Sequence, residues 1–241
     1  MADSFSSMVE FQSGNETIKG FISQPVQEGI YPGIILAHEY SGLLDHVKEV
    51  CIHLARQGYI VLAPDLFRGH IGHSPEESSQ LSRNLDDSIA LRDLNAGFDY
   101  LKRQQTVKKD RIGCMGFCMG GRQSLLFAGH NPALAAAVVF YGNIFNREIT
   151  PKTPRHAYDL VADIRCPILG IYGEADGSIP MDQVSKLREA LSSHKKVFEL
   201  YTYPGAQHAF HNDTNPERYH PEAARDAWVK ALKFLEKYLK T

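Results

Sequence analysis

The stretch Arg111-Ile112-Gly113-Cys114-Met115-Gly116-Phe117-Cys118-Met119-Gly120-Gly121 decides how this chain is read. An apolar strand, Arg111 to Phe117, runs into a turn of small residues that opens a helix from Met119 to about Gly129. Glycine stands two residues before and two residues after Cys118. A sharp strand-to-helix turn brings those two positions close together, where a Cβ has no room, and strains the backbone of the residue between them. The Gly-x-Ser-x-Gly elbow exposes a serine nucleophile at a sheet edge in this way. Here a cysteine takes the centre, above a helix N-terminus that favours a thiolate. The plainer alternative is a small buried thiol filling a glycine-rich turn.

Outward from the elbow, helical and strand patterns alternate. Upstream, Ile34 to Ala37 and Tyr59 to Ala63 are short continuous apolar runs with the helix-like Asp45 to Gln57 between them, a βαβ unit. Before that, Met8 to Phe11 and Thr17 to Gln24 flank Ser13-Gly14-Asn15 and predict an antiparallel hairpin. Leu91, Leu94, Phe98 and Leu101 put one apolar stripe on a helix that precedes the elbow strand. Downstream come a strand at Ala135 to Tyr141, a long irregular segment rich in Pro and Arg, and a strand at Ile168 to Gly173. A helix from about Met181 to Ser192, a strand at Val197 to Tyr203 and an amphipathic helix carrying Ala224, Trp228, Leu232 and Leu235 complete the order. Such alternation predicts an α/β fold with a mainly parallel sheet covered on both faces. Ligands of such sheets sit at the carboxyl ends of the strands.

Composition narrows the class. The 241 residues suit one α/β domain, 1–241, and 26 basic against 28 acidic residues leave a net charge of −2. With 43% hydrophobic residues, neither a nucleic-acid polycation nor a disordered acidic tail fits, so a small or neutral partner is expected. Four cysteines, at 51, 114, 118 and 166, are too few for a disulfide scaffold and read as reduced thiols. The Cys114-x-x-x-Cys118 spacing is neither the usual redox pair nor a zinc half-site. The opening Met-Ala-Asp-Ser-Phe-Ser-Ser lacks the basic and apolar regions of a secretory leader. The longest apolar run, Ala133 to Tyr141, is far short of the roughly 20 residues that span a bilayer. A cytoplasmic protein with no membrane or nucleic-acid partner, no metal and no cofactor is the expectation.

A free thiol, with a pKa of about 8.5, is mostly protonated at neutral pH, so a cysteine nucleophile needs a base. In the elbow arrangement the chain order is nucleophile, acid, histidine, the last two on loops after later strands. Asp176, in Gly173-Glu174-Ala175-Asp176-Gly177, and His208, in Pro204-Gly205-Ala206-Gln207-His208-Ala209-Phe210, satisfy that order. Glu174 is the rival acid and His211 the rival base. An oxyanion hole would come from the amide after the nucleophile, Met119, and from the loop after an early strand, where Tyr40 is the candidate. Glu39 would then lie beside Cys118, unless it is a loop glutamate facing water.

Together these segments resemble the dienelactone hydrolase, or carboxymethylenebutenolidase, family over nearly the whole chain. The resemblance rests on His38-Glu39-Tyr40-Ser41-Gly42-Leu43 with Asp45-His46, on Ala63-Pro64-Asp65-Leu66-Phe67-Arg68-Gly69, and on Gly116-Phe117-Cys118-Met119-Gly120-Gly121. It extends to Tyr141-Gly142, Tyr172-Gly173-Glu174-Ala175-Asp176 and Tyr203-Pro204-Gly205-Ala206-Gln207-His208-Ala209-Phe210. It implies an α/β-hydrolase fold: a three-layer αβα sandwich on a mainly parallel eight-stranded sheet. It implies a Cys118, Asp176, His208 triad and a glutamate, Glu39, that touches the thiol in the resting state and helps deprotonate it when substrate arrives. Family substrates are enol lactones whose carboxylate two arginines grip. Arg68 matches the first approximately, one residue nearer the Pro-Asp-Leu, and Asn212 stands where the second is expected.

The expected activity is hydrolysis of a small ester or lactone through a covalent acyl-enzyme, by a monomer or weak homodimer. The competing readings are a thioesterase, carboxylesterase or peptidase on the same fold, and a non-catalytic thiol-sensing or ligand-binding protein. The segment Asn143 to Asp159, with Arg147 and Arg155, is either a cover over the site or a surface loop.

Overall fold

A computed structural model describes residues 3–241. Met1 and Ala2, where the stretch read for a leader begins, lie outside the described residues. The Gly14-Asn15 turn joins β1 (Ser4–Ser13) to β2 (Glu16–Pro25), an antiparallel ribbon longer at both ends than its apolar pattern predicts. The βαβ unit follows as β3 (Tyr31–Ala37), α1 (Asp45–Arg56) and β4 (Ile60–Pro64). Next come α2 (Pro75–Asn84), α3 (Asp87–Arg103), β5 (Val107–Phe117), α4 (Met119–His130) and β6 (Ala137–Phe140). The chain ends with β7 (Ile168–Gly173), α5 (Met181–Ser193), β8 (Phe198–Tyr203) and α6 (Pro221–Leu235).

Helix α2 is absent from the apolar pattern for a physical reason. Ser78 is its only buried residue, so it has no stripe to display. Its signal is in the cap instead: the Ser74 hydroxyl accepts from the Glu77 amide, and Pro75 opens the first turn. Strand β6 is shorter than the run Ala135 to Tyr141, because Tyr141 leaves extended geometry at φ 36°. The irregular segment contains a 3-10 helix at Ala157–Asp163.

All eight strands lie in one sheet in the order β1-β2-β4-β3-β5-β6-β7-β8, antiparallel at β1, β2 and β4 and parallel from β4 through β3 to β8. Helices α1 and α6 pack on one face and α3 and α4 on the other, which gives three layers. Strands β4, β6 and β7 are buried at every residue, as a strand covered on both faces must be. The parallel register pairs Ala37 with Gly116, Phe117 with Phe140, Phe140 with Ile171 and Gly173 with Tyr203. The loops after β3, β5, β6, β7 and β8 therefore leave the sheet at one edge. Because β3 lies between β4 and β5, the strand order reverses there, and in open α/β sheets ligands bind at the carboxyl edge beside such a reversal.

Candidate active site

Cys118 occupies the turn between β5 and α4 at φ 54° and ψ −117°, a conformation that an L-residue adopts only when its surroundings impose it. What imposes it is close packing of backbone. A Cβ on Gly116 would stand 2.1 Å from the Gly120 carbonyl oxygen, and one on Gly120 would stand 2.1 Å from the carbonyl oxygen of Ala37. The start of α4 is thus pressed against the end of β3, and the Cys118 amide donates to Phe140 at 3.0 Å. The turn is the one predicted from the glycine spacing.

Asp176 follows β7 and is buried at 4% exposure. Its Oδ1 accepts from the amides of Ser178 at 2.7 Å and Ile179 at 3.1 Å, which leaves Oδ2 to accept from His208 Nδ1 at 2.7 Å. On the other side of the same ring, His208 Nε2 is 3.0 Å from Cys118 Sγ. Burial disfavours a charged imidazole here, but the hydrogen bonds to Asp176 and to the sulfur outweigh it and raise His208 to about 10. The edge of the His208 ring also meets the Tyr141 ring, with centroids 5.2 Å apart. The three side chains come from loops after β5, β7 and β8, so the sheet edge alone brings positions 118, 176 and 208 together.

The rivals are drawn elsewhere. Glu174 is exposed and accepts from the Thr202 hydroxyl at 2.8 Å. His211 sits among Phe117, Phe140 and Trp228 with no partner for its Nδ1, and burial pushes it down to about 4. Cys51, Cys114 and Cys166 are buried, and burial raises all three thiols, Cys166 to about 12. Among the described residues no group of three or more His, Cys, Asp or Glu is arranged to hold a metal ion.

Glu39 is half-buried on the loop after β3, and its Oε2 accepts from Asn212 Nδ2 at 3.2 Å. Burial raises the Glu39 carboxyl above the usual carboxylate range, opposed by the charges of His46 and His208 and by the Asn212 hydrogen bond. The thiol is therefore paired with His208 while Glu39 is held by Asn212, an arrangement that neither residue's local sequence announces. Tyr40 stands next on that loop, and the Met119 amide belongs to the first turn of α4, whose N–H groups lack intrahelical partners. The Arg68 guanidinium donates to Asp93 at 2.6 Å and to Glu16 at 2.8 Å, tying the hairpin to α3. Arg122, four residues after Cys118, binds both oxygens of Asp87 at 2.6 and 2.7 Å and Asn146 at 2.8 Å. Its signal in the sequence was only a charge on a helix with no polar face.

The dienelactone hydrolase family model matches residues 18–239. The chain belongs to the dienelactone hydrolase family. As a member it is a hydrolase of the carboxylic-ester class, acting on esters or lactones. A provisionally named carboxymethylenebutenolidase of Yersinia pestis is 36% identical over 226 residues, covering 91% of this chain and 84% of that one. A provisionally named 2-oxo-3-(5-oxofuran-2-ylidene)propanoate lactonase of a Bradyrhizobium species is 33% identical over 240 residues, 96% of this chain and 94% of that one. Among solved structures, a provisionally named dienelactone hydrolase of Klebsiella pneumoniae superposes with a TM-score of 0.91 at 32% identity, over 98% of this chain and 99% of that one. The dienelactone hydrolase fold thus extends over the whole sheet described above. Among the described residues no helix is long and apolar enough to cross a membrane.

Proposed function

We propose that this dienelactone hydrolase family member cleaves an ester or lactone by covalent catalysis, with Cys118 as nucleophile, His208 as base and acid, and Asp176 as its orienting group. The observation that carries the reading is the unbroken chain Cys118 Sγ, His208, Asp176, at 3.0 and 2.7 Å, at the strand-order reversal of the sheet. A raised imidazole beside a sulfur favours the imidazolium and thiolate forms. The thiolate attacks the carbonyl carbon, and the amides of Tyr40 and Met119 hold the oxygen as its charge develops. The bond to the leaving oxygen then breaks, and the departing oxygen takes its proton from His208, which leaves the imidazole neutral. Water, losing its proton to His208, attacks the thioester, the acid departs and the thiolate returns.

The leaving group follows from the nucleophile. A thiolate is itself a better leaving group than an unactivated alkoxide, so an intermediate formed on an alkyl ester collapses back to substrate. An enol oxygen leaves as a stabilised enolate, and the name of the Bradyrhizobium relative refers to a lactone of that kind. Enol lactones and activated esters are the substrates this chemistry favours. Replacing Cys118 with alanine is expected to abolish turnover of both a p-nitrophenyl ester and an enol lactone. Activity surviving in that variant would remove the assignment.

A further inference from the structure

We infer that His38 is a positioning residue of the oxyanion hole: by fixing the Glu39 carbonyl it turns the Tyr40 amide outward, to the carbonyl oxygen under attack. The inference deepens the proposed function and rests on Cys118 being the nucleophile and the Tyr40 amide a donor to the oxyanion.

The two ring nitrogens of His38 face opposite kinds of backbone group. Nε2 lies 3.1 Å from the Leu66 amide, which can only donate, and Nδ1 lies 2.7 Å from the Glu39 carbonyl, which can only accept. Both bonds form together only in the neutral ring with its proton on Nδ1. Burial favours the neutral ring too: His38 is fully excluded from water, and its imidazole is lowered from the ordinary histidine range against the Glu39 carbonyl and the charge of Asp65. The anchor on the far side is itself fixed. Asp65 accepts from the amides of Phe67 at 3.0 Å and Gly69 at 2.6 Å, and the Phe67 ring meets the His38 ring edge-on with centroids 4.8 Å apart.

The Glu39 carbonyl also accepts from the Gly42 amide at 3.1 Å, which closes the turn Glu39-Tyr40-Ser41-Gly42. A trans peptide points its C=O and N–H in opposite directions, so a Glu39 oxygen held by two donors sends the Tyr40 N–H out of the turn. That amide has no acceptor among the described residues. The Gly42 bond fixes the turn only to itself, whereas His38 fixes it to the loop after β4, with a second tie where the Ser41 carbonyl accepts from Gly72 at 3.0 Å. Its place against the elbow follows from the glycine next to Met119. A Cβ on Gly120 would stand 2.1 Å from the Ala37 carbonyl oxygen and 2.7 Å from that of His38. The chain leading into Tyr40 and the first turn of α4 are thus in backbone contact, with Met119 adjoining that contact on one side and Tyr40 following it on the other.

Acylation and alkylation of the same thiol separate the hole from the nucleophile. Attack on a carbonyl builds charge on its oxygen, whereas displacement of iodide from iodoacetamide builds none there. The rate of acylation by p-nitrophenyl acetate in stopped flow, divided by the rate of iodoacetamide labelling at Cys118 from peptide mapping, therefore reads the hole and cancels the thiolate population. His38→Gln places an amide at the reach of Nε2 and leaves the Glu39 carbonyl without its side-chain donor. It should lower the ratio by at least about tenfold, toward the roughly 10²- to 10³-fold that loss of one oxyanion donor costs. His38→Asn restores a donor at the place of Nδ1 and should recover most of the ratio. A ratio unchanged in His38→Gln overturns the inference, as does an equal loss in His38→Asn. A proportional fall of both rates overturns it too, because the damage then lies at the elbow. The wild type supplies a further test that needs no variant: nitrogen-15 NMR at pH 7 should show His38 protonated at Nδ1 and bare at Nε2, and the opposite tautomer or an imidazolium overturns the lock on Glu39. If p-nitrophenyl acetate does not acylate Cys118 in the wild type, the proposed function fails, and the tautomer still decides whether His38 holds the Glu39 carbonyl.

Discussion

His208 spans a buried carboxylate and a thiol, and its neighbours rather than its exposure decide its charge. Raised to about 10 by its hydrogen bonds to Asp176 and to the sulfur, it makes Cys118 the thiol with a basic partner, so iodoacetamide should label Cys118 faster at pH 7 than it labels the buried Cys51, Cys114 and Cys166. In His208→Gln that advantage in labelling rate at pH 7 should be lost. Asp176→Asn should cut kcat by as much as about 10⁴-fold, the loss the handicapped tautomer produces in serine protease triads. A near wild-type kcat would return Glu174 to consideration, although its carboxylate is taken by Thr202. His211 behaves oppositely. Pushed down to about 4, it is neutral when folded, while the unfolded chain binds a proton below about 6.5. It therefore supports stability above pH 6.5, and that support is lost as pH falls from 6.5 through 4, up to ~3 kcal/mol. Urea unfolding at pH 7 and pH 4.5 should show the drop, and His211→Phe should flatten it. Chain order does not distinguish positions 208 and 211, which both follow Asp176; three residues of one loop separate an imidazole on a carboxylate from one among aromatic rings, and only the fold assigns each its neighbours.

At the scale of elements, the elbow is a contact between backbones. Gly120→Ala would drive a methyl group into the Ala37 carbonyl, with no flexible side chain to give way, and should cost about 3 kcal/mol or more as β3 and α4 are forced apart. Gly177→Ala meets nothing within 4 Å and should leave the unfolding midpoint close to the wild type. Equal losses for the two would mean that the elbow does not depend on this approach. The elbow was the most legible element, since its glycines report a steric limit that holds in any chain. Helix α2 was the least legible, because a helix with one buried residue leaves only a cap to read. The loop carrying Arg68 illustrates the other limit. Its Pro-Asp-Leu-Phe-Arg pattern was matched in sequence, but the guanidinium turned out to serve the Asp93 and Glu16 carboxylates of distant elements.

Across the whole molecule, Arg122 ties three parts that the chain separates: α4, the start of α3 through Asp87, and the segment after β6 through Asn146 and the Arg155 carbonyl. Both charges are nearly excluded from water, so removing one partner leaves the other unpaired. Arg122→Met should destabilise the protein by about 3–5 kcal/mol in urea unfolding, and the double variant with Asp87→Leu should recover part of the loss. Full additivity of the two would show that the pair is not coupled.

Local steric and periodic constraints travel with the sequence, and from them alone came the alternating elements and the strained turn at Cys118. Partner choice does not travel in this way. That the thiol pairs with His208 while Asn212 holds Glu39, and that Arg68 binds carboxylates of the hairpin and α3, were decided only when a twisted parallel sheet brought loops from β3, β4, β5, β7 and β8 to one edge. Hydrogen bonds and ion pairs depend on distance in space, and residues 39 and 212 have no proximity until the sheet closes it.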